Sequence, residues 1–246
     1  ILIRDQFGKK PIYYAFYKDY FLFNSSIKGI QNIIENKSIN NDALSNYLVY
    51  GNMFAENTIF KEIYQVEPGN ILIWDSQTGK ISIDKYFDFY NEIIKTPHIN
   101  HNYKDLKYLL SENLNQVVKS HLCSDVPLSL LLSSGIDSKV VAKYSLTSNI
   151  KAYTADFKEN NKEVEDAKKF SDYYEKLDHE IVNIKESNVF TVLEKVIDFL
   201  GEPFADASVI PLFFLYSNLP KENKVVLQGD GGDELFGGYN RYIMGE

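Results

Sequence analysis

The apolar stretch Leu128-Ser129-Leu130-Leu131-Leu132 runs directly into Ser133-Ser134-Gly135-Ile136-Asp137-Ser138, and this junction decides the fold of the chain. The apolar run is typical of a buried strand, and residues 139–146 have the composition of a helix. A strand that ends in small residues and restarts as a helix presents backbone N–H groups and the positive helix end to an anion. The junction therefore predicts a phosphate-binding loop in an α/β domain.

We call residues 133–138 the serine loop. Its serines supply hydroxyl groups, Gly135 permits a tight turn, and Asp137 is suited to hold a cation beside the phosphates. It is not a Walker A loop, because no Gly-Lys-Ser/Thr closes it and the glycine spacing differs. The plainer alternative is an ordinary turn between a strand and a helix, where small residues are common.

A second stretch carries glycines and carboxylates together. Residues 224–227 are typical of a buried strand, and they lead into residues 228–239, which we call the acidic loop. It begins Gln228-Gly229-Asp230-Gly231-Gly232-Asp233-Glu234. Carboxylates are ligands that Mg²⁺ prefers, usually shared with substrate phosphates. A solvated acidic turn is the alternative, but it does not require so many glycines beside the carboxylates.

The order of elements after residue 95 predicts where these loops meet. Strands joined by helical crossovers form a parallel, doubly wound sheet, and ligands bind at the carboxyl ends of its strands. Both loops follow strands, so we expect Asp137 and Asp233 to converge at the ends of adjacent strands. The predicted strands are 128–132, 150–156, 179–184 and 224–228, and the predicted helices are 103–122, 137–147, 162–174, 187–200 and 210–219.

The first 95 residues have a different pattern, with short strands and two predicted hairpins. The first hairpin joins residues 12–17 to 20–24, and the second joins residues 66–74 to 80–86 across a polar turn. Residues 91–102, which include Pro97, are predicted to form a linker.

Composition excludes several classes of protein. The chain has 246 residues with 44% hydrophobic content, one cysteine and a formal net charge of −8. One cysteine excludes a disulfide framework and is typical of a reducing compartment. The negative charge argues against nucleic acid as a partner, and no apolar run approaches the roughly 20 residues of a membrane span. We predict a cytoplasmic enzyme with no zinc site, because ligand-like partners are lacking for His98, His101, His121 and His179.

Four motifs together resemble the asparagine synthetase family, the glutamine-dependent enzymes that make asparagine from aspartate and ATP. They are GDGGDELFGGYNRY at 229–242, GEPFADASVIP at 201–211, SDVPLSLLLSSGIDS at 124–138 and RDQFGKKPIY at 4–13. The resemblance implies the C-terminal part of an N-terminal-nucleophile glutaminase domain (α+β) over 1–95. It implies the N-terminal part of a doubly wound ATP pyrophosphatase domain over 96–246. We expect an internal fragment of a longer protein.

The resemblance also implies a set of site residues, with ATP and Mg²⁺ as cofactors and aspartate and glutamine as substrates. Asp230 fills the position of an acidic residue tied to the acyl-adenylate, and Asp5 matches a glutamine-binding carboxylate. Asp137 and Asp233 match the magnesium ligands. The positions implied to contact ATP or pyrophosphate are Leu131, Ser133, Gly135, Asp137, Ser138, Ala155, Gln228 and Gly229.

Departures from the family pattern leave the acceptor open. Ser134 replaces the first glycine of the usual loop, Gly201 stands where many relatives have Asp, and Gln228 replaces a usual Ser. The glutaminase nucleophile of the family is an N-terminal cysteine, which Cys123 cannot be. A related amidotransferase acting on another carboxylate, a β-lactam-forming or peptide-cyclising relative, and a non-catalytic protein stay as alternatives. A homodimer is also compatible with the resemblance.

Overall fold

A computed structural model describes residues 1–54, 56–97, 102–157, 161–175, 177–184, 189–206 and 208–242. The chain forms two compact units, residues 1–99 with 188–211 and residues 100–187 with 212–246. The elements in chain order are β1 (Leu2–Ile3), β2 (Tyr13–Tyr17), β3 (Tyr20–Asn24), α1 (Ile27–Gln31), α2 (Asn41–Tyr50), β4 (Tyr64–Gln65), β5 (Asn70–Trp74), β6 (Ile81–Lys85), α3 (Phe89–Lys95), α4 (Tyr103–His121), β7 (Leu128–Leu131), α5 (Ile136–Ser145), β8 (Lys151–Asp156), α6 (Asn161–Tyr173), β9 (Asp178–Asn183), α7 (Val189–Leu200), α8 (Val209–Asn218), β10 (Val225–Leu227) and α9 (Gly232–Phe236), followed by a 3₁₀ turn at Asn240–Tyr242.

The first unit contains two antiparallel three-stranded sheets, ordered β1-β5-β6 and β3-β2-β4. Both predicted hairpins are confirmed, since β2 pairs with β3 and β5 pairs with β6. The first turn places Lys18 at a φ of 55°, and the second places Gly79 at 68°. A side chain is strained at such angles and glycine is not, so the second turn fits its sequence better than the first.

The apolar residues of the first unit form two clusters. One joins β2 to α1 and includes Ala15, Ile27 and Ile30, all at most 1% exposed. The other joins β1, β2 and β5 through Leu2, Tyr14 and Leu72 among others. The alternation of side chains along β2 therefore fills a cluster on each face.

The predicted linker over 91–102 is wrong for its first part, because α3 extends to Lys95. Asp88 caps this helix by accepting a hydrogen bond from the N–H of Asn91 at 3.1 Å. A capped helix start outweighs the polar composition that favoured a linker. The later residues at 98–101, with His98 and His101, lie outside the described part of the chain.

Residues 188–211 group with the first unit, whereas the sequence places them in the second predicted domain. The helix α7 packs against α1, and Lys28 Nζ lies 2.5 Å from Asp198 Oδ2. Gly201 follows α7 at a φ of 77°, and a Cβ atom there would lie 2.7 Å from Gln31 Oε1. Positive φ and close approach explain the glycine at 201. The domain boundary near residue 95 stays a prediction.

The next residue, Glu202, is partly buried in the same unit. The hydroxyl of Tyr13 donates to Glu202 Oε1 at 3.0 Å. Burial raises the pKa of Glu202 above its ordinary value, and the hydrogen bonds from Tyr13 and from the backbone of Ile59 oppose that rise only in part. The carboxyl group is therefore held in surroundings that favour its protonated form.

The second unit contains a parallel sheet, as the sequence predicts, and its strand order is β10-β7-β8-β9. Leu130, Ala152 and Leu132 lie in a cluster with residues of α5 and α6. Tyr153 and Val182 lie in another cluster with Leu215 of α8. Helices therefore cover both faces of the sheet, which confirms the doubly wound α/β fold. None of the helices in the described residues combines the length and apolar character needed to cross a membrane.

Candidate active site

The serine loop and the acidic loop leave the sheet from neighbouring strands. β7 and β10 run parallel, with Leu128 opposite Val225 and Leu130 opposite Leu227. Both loops follow the carboxyl ends of their strands, so they emerge at the same edge of the sheet. The chain passes from β7 to β8 on one side, and β10 lies on the other. This is the switch point at which ligands bind in open α/β sheets.

Hydrogen bonds close the serine loop on itself. The hydroxyl oxygens of Ser133 and Ser138 lie 2.9 Å apart, and the N–H of Ser133 donates to Ser138 Oγ at 3.0 Å. The N–H of Gly135 donates to Ser133 Oγ at 3.1 Å. Ser138 is buried in the first turn of α5, so its hydroxyl ties the helix to the strand end. These hydrogen bonds bring the two serines together and fix the shape of the loop.

The helix that follows begins without a side-chain cap. Its N-cap residue is Gly135, in the extended conformation at a φ of −66°, which has no side chain to accept from the first N–H groups. These N–H groups have no partner within an α-helix. An uncapped helix start at a strand end has donors and a dipole suited to a phosphate.

Ser134 is accommodated without backbone strain. Among the described residues, positive φ angles outside glycine occur only at Lys18 and Glu56, so Ser134 adopts an ordinary conformation. Its carbonyl oxygen accepts a hydrogen bond from Lys139 Nζ at 2.8 Å. The serine that replaces a glycine therefore has no conformational cost, and a cationic side chain lies at the loop.

The acidic loop packs directly onto Asp137. A Cβ atom on Gly229 would stand 2.7 Å from Asp137 Cβ and 2.7 Å from the backbone N of Ser138. A Cβ atom on Gly232 would stand 2.6 Å from Asp137 Oδ2. Real Cβ atoms essentially never approach other atoms so closely, so a larger residue at either position would force its neighbours to shift. The glycines predicted to mark a loop are thus required by the approach of the two loops.

The other carboxylates of the acidic loop have partners within the loop. The carboxylate of Asp233 lies against Gly238, where a Cβ atom would collide with it. Gln228 Nε2 donates to Asp230 Oδ2, and the hydroxyl of Tyr216 donates to Gln228 Oε1 at 3.0 Å. Burial raises the pKa of Tyr216, and the negative charge of Asp230 adds to the rise. Asp137 thus contacts Gly232, which precedes Asp233, while Asp233 turns toward Gly238.

Two further predicted residues, Leu131 and Ala155, lie in the sheet itself. Leu131 ends β7, and Ala155 lies in β8 one residue before its end. Both pack against the apolar cluster that includes Tyr153. Their backbone groups are therefore at the same sheet edge as the two loops.

Asp5 belongs to the first unit, where it organises a turn. Its carboxylate accepts hydrogen bonds from the N–H groups of Phe7 at 3.1 Å, Lys9 at 3.0 Å and Lys10 at 3.3 Å. Burial alone would raise the pKa of Asp5, but these backbone donors outweigh it and lower the pKa. Arg4 is buried beside it and donates to the carbonyl oxygen of Val66 at 2.6 Å. Asp5 thus has a structural role in this turn, and its role in glutamine binding stays a prediction.

The donor set at the sheet edge is compatible with Mg²⁺. No group of three or more His, Cys, Asp or Glu side chains suited to a metal occurs among the described residues. Mg²⁺ does not need one, because it commonly uses one or two protein carboxylates together with water and substrate phosphates. Asp137, in its glycine-lined cradle, and Asp233 are carboxylates of this kind, and their role as magnesium ligands stays a prediction.

Sequence reasoning missed three residues near the site. Lys139 follows the serine loop directly and was a visible signal, because a cation beside a phosphate loop is favourable. The contact of Tyr216 and the hydrogen-bond partners of His179 were not identifiable, since they depend on how α8, β8 and β9 pack. Tyr216 contacts Gln228, and His179 lies 2.8 Å from Thr154 Oγ1 in β8.

Comparison with known proteins agrees with the sequence motifs. The family model for asparagine synthase matches residues 109–245, and the model for the glutamine amidotransferase domain matches residues 1–87. The chain belongs to the asparagine synthase family. The two models match consecutive parts of the chain, in the order that the sequence motifs predict.

Individual relatives extend along almost the whole chain. It is 33% identical to "Putative asparagine synthetase [glutamine-hydrolyzing] 2" of Methanocaldococcus jannaschii, covering 98% of this chain and 47% of the relative. It is 28% identical to asparagine synthetase [glutamine-hydrolyzing] 1 of Bacillus subtilis, covering 97% of this chain and 37% of the relative. It is 26% identical to amidase chyE of Penicillium rubens, covering 98% of this chain and 38% of the relative. The chain therefore spans less than half the length of these relatives.

Proposed function

We propose that the full-length protein converts aspartate to asparagine with ATP, through a β-aspartyl-AMP intermediate. Ammonia would come from glutamine, released by the glutaminase half. The packing of Gly229 and Gly232 onto Asp137, at the switch point between β7 and β10, carries this proposal. It supports one site built from the serine loop and the acidic loop, and family membership supports the chemistry.

The reaction requires activation of a carboxylate. A side-chain oxygen of aspartate attacks the α-phosphorus of ATP, a new P–O bond forms, and pyrophosphate leaves. Ammonia then attacks the acyl carbon, and AMP departs with the oxygen that came from aspartate. The protein has to stabilise the negative charge that develops on pyrophosphate, which positioned donors do well in a site shielded from water.

The serine loop is suited to hold the β and γ phosphates. Its donors would be the backbone N–H groups at the start of α5 and the hydroxyl groups of Ser133 and Ser138. Gly135 keeps this helix start free of a side-chain cap. Asp137 and Asp233 would hold Mg²⁺, which neutralises charge on the phosphates.

The remaining residues have assigned roles in the same proposal. Leu131, Ala155 and Gly229 would contact adenosine through their backbone groups. Asp230 would act in forming or using the acyl-adenylate, with Gln228 beside it. Gln228 donates to Asp230 and accepts from Tyr216, so it fixes the orientation of that carboxylate.

Product analysis with the full-length enzyme tests this function. With ATP, aspartate, Mg²⁺ and ammonia, we expect AMP and pyrophosphate in equal amounts with asparagine, and no turnover without aspartate. Formation of ADP and orthophosphate would overturn the proposal. Pyrophosphate release with a different carboxylate would identify a related amidotransferase, and release without any external amine would identify a cyclising enzyme.

Glutamine use is tested separately through Asp5. If Asp5 binds the α-amino group of glutamine, Asp5→Asn should lower glutamine-dependent synthesis while ammonia-dependent synthesis continues. Loss of both activities together would show that Asp5 serves only the turn formed with Phe7, Lys9 and Lys10.

A further inference from the structure

A line of hydrogen bonds crosses three elements of the second unit and ends one residue before the serine loop. Thr154 Oγ1 in β8 donates to the carbonyl oxygen of Leu132 at 2.6 Å. The same oxygen lies 2.8 Å from His179 Nε2 in β9. His179 Nδ1 lies 2.9 Å from Ser171 Oγ in α6. None of these side chains belongs to the proposed substrate contacts.

The distances and the number of protons together indicate the direction of these bonds. A threonine hydroxyl has one proton, and a carbonyl oxygen can only accept. The contact with the carbonyl oxygen of Leu132, at 2.6 Å, is shorter than the 2.8 Å contact with Nε2. We therefore place the proton of Thr154 on the bond to Leu132, and its oxygen then accepts from His179. Nε2 of His179 consequently carries hydrogen. Thr154 is 2% exposed, so water does not replace His179 readily.

Nδ1 of His179 can be protonated or unprotonated without a change in the hydrogen bonds to Thr154 and Leu132. In neutral His179, Nδ1 accepts from the hydroxyl of Ser171. In the cation, Nδ1 donates, and Ser171 turns its proton to the carbonyl oxygen of Lys168, which lies 2.9 Å away. Burial lowers the pKa of His179, against the opposing charges of Asp172 and Asp178. Nε2–H faces Thr154 in either state.

We infer that His179 is a positioning residue for the serine loop, acting through Thr154 on the backbone of Leu132. This inference rests on the proposed function, because it takes the serine loop to be the site of the ATP phosphates. It assigns to β8 and β9 a specific part in ATP binding, although neither strand carries the loop.

The position of Leu132 explains why this contact matters. Its N–H donates to the carbonyl oxygen of Tyr153 at 2.9 Å, and its own carbonyl accepts from Thr154. Both backbone groups of the residue that precedes Ser133 are thus held by β8. Leu132 is 2% exposed, so loss of the Thr154 hydroxyl leaves its carbonyl oxygen without water as a substitute. A displaced loop loses alignment with the phosphates.

The tautomer of His179 gives a direct test that needs no activity. Two-bond ¹H–¹⁵N spectra of the full-length protein with labelled histidine distinguish the tautomers, and His179→Gln assigns the signal. We expect His179 as the neutral Nε2–H tautomer above neutral pH. The Nδ1–H tautomer, or averaging between the two, would overturn the inference.

Kinetics of the full-length enzyme provide the second test. We expect Thr154→Val and His179→Leu each to raise the KM for ATP roughly fivefold to tenfold, the range for one hydrogen bond. The KM for aspartate should stay unchanged. Thr154→Ser and His179→Gln keep a hydroxyl and a donor near Nε2, so they should recover most of the ATP affinity. The KM for ATP of the double variant should be no higher than that of either single variant, because both substitutions break the same line of hydrogen bonds.

Thr58→Val is the matched control. Thr58 is also a buried threonine, and its hydroxyl donates to the carbonyl oxygen of Ile63 at 2.8 Å in the first unit. We expect it to lower the melting temperature without changing the KM for ATP. If Thr154→Val and His179→Leu behave like this control, their role is structural and the inference fails. If the wild type releases no pyrophosphate, the proposed function fails instead, and the tautomer measurement still tests the chain of bonds.

Discussion

The carboxylate of Asp137 lies against the backbone of Gly232, so closely that a Cβ atom at Gly232 would stand 2.6 Å from Oδ2 and 2.7 Å from Oδ1. These residues come from loops that follow β7 and β10, which are neighbours in the sheet but far apart in sequence. The contact joins the serine loop to the acidic loop. We therefore expect changes in either loop to affect the same step.

The two glycines of this contact should differ in sensitivity. A Cβ atom on Gly229 meets the backbone of Ser138, which has little freedom, whereas one on Gly232 meets the end of a side chain that can turn. Gly229→Ala should therefore lower kcat/KM for ATP more than Gly232→Ala does. The loss for Gly229→Ala should be on the order of tenfold or more, in keeping with the usual cost of overpacking. Steady-state pyrophosphate release measures both.

Gly79→Ala serves as the control for these variants. Gly79 has a positive φ, but a Cβ atom there would meet nothing within 4 Å. Gly79→Ala should lower the free energy of unfolding through backbone strain and leave the kinetics with ATP unchanged. Equal kinetics for Gly229→Ala and Gly79→Ala would contradict the close approach of the two loops.

The predicted magnesium carboxylates can be tested without changing side-chain volume. Asp137→Asn and Asp233→Asn should each reduce adenylation, on the order of 10²-fold, because each removes a negative charge from the ion. The fold should remain intact by circular dichroism. The matched control is Asp84→Asn on the exposed strand β6. Full adenylation activity in either site variant would rule out that residue as a ligand.

Ser134→Gly restores the glycine usual in the family but should not stabilise the protein. Ser134 lacks a positive φ, so no strain is relieved, while glycine adds freedom to the unfolded chain. We expect the free energy of unfolding to fall by about 0.5–1 kcal/mol. A rise of similar size, measured by urea denaturation, would show that the serine is strained.

Much of the fold was predictable because local patterns and tertiary packing agree. The alternating strands around Gly79 and the apolar strand before Ser133 form as expected. The cap at Asp88 starts a helix that extends into the predicted linker over 91–102, because the cap outweighs the polar composition there. The grouping of α7 with the first unit depends on contacts such as Lys28 with Asp198, which no local pattern reveals.

The site was predictable at the level of its loops and less so at the level of its contacts. Glycine and carboxylate patterns are visible in sequence, so the motifs point to Asp137, Gly229 and Asp233 as candidate site residues. The bond from Tyr216 to Gln228 and the chain from His179 to Leu132 require the packing of α8 and the pairing of β8 with β9. Such long-range partners follow only from the folded structure.

Glu202 should give the stability of the first unit an unusual pH dependence. Its pKa is raised by burial, so between its unfolded and folded pKa values the native state holds more protons than the unfolded state. Stability therefore falls as pH rises through that window. Glu202→Gln removes the ionisable group and keeps an acceptor for Tyr13. The free energy of unfolding of this variant should exceed that of the wild type at neutral pH. This difference should be smaller at acidic pH. A difference that does not vary with pH would contradict burial as the cause.

Transfer of oxygen from aspartate to AMP tests adenylation of the substrate most directly. The full-length enzyme would be given ATP, ammonia, Mg²⁺ and aspartate labelled with ¹⁸O in its side-chain carboxylate, and the products analysed by mass spectrometry. Attack of that carboxylate on the α-phosphorus predicts one ¹⁸O atom in each AMP and none in pyrophosphate. AMP without ¹⁸O, or ¹⁸O in orthophosphate formed together with ADP, would contradict an adenylation site built from the serine and acidic loops.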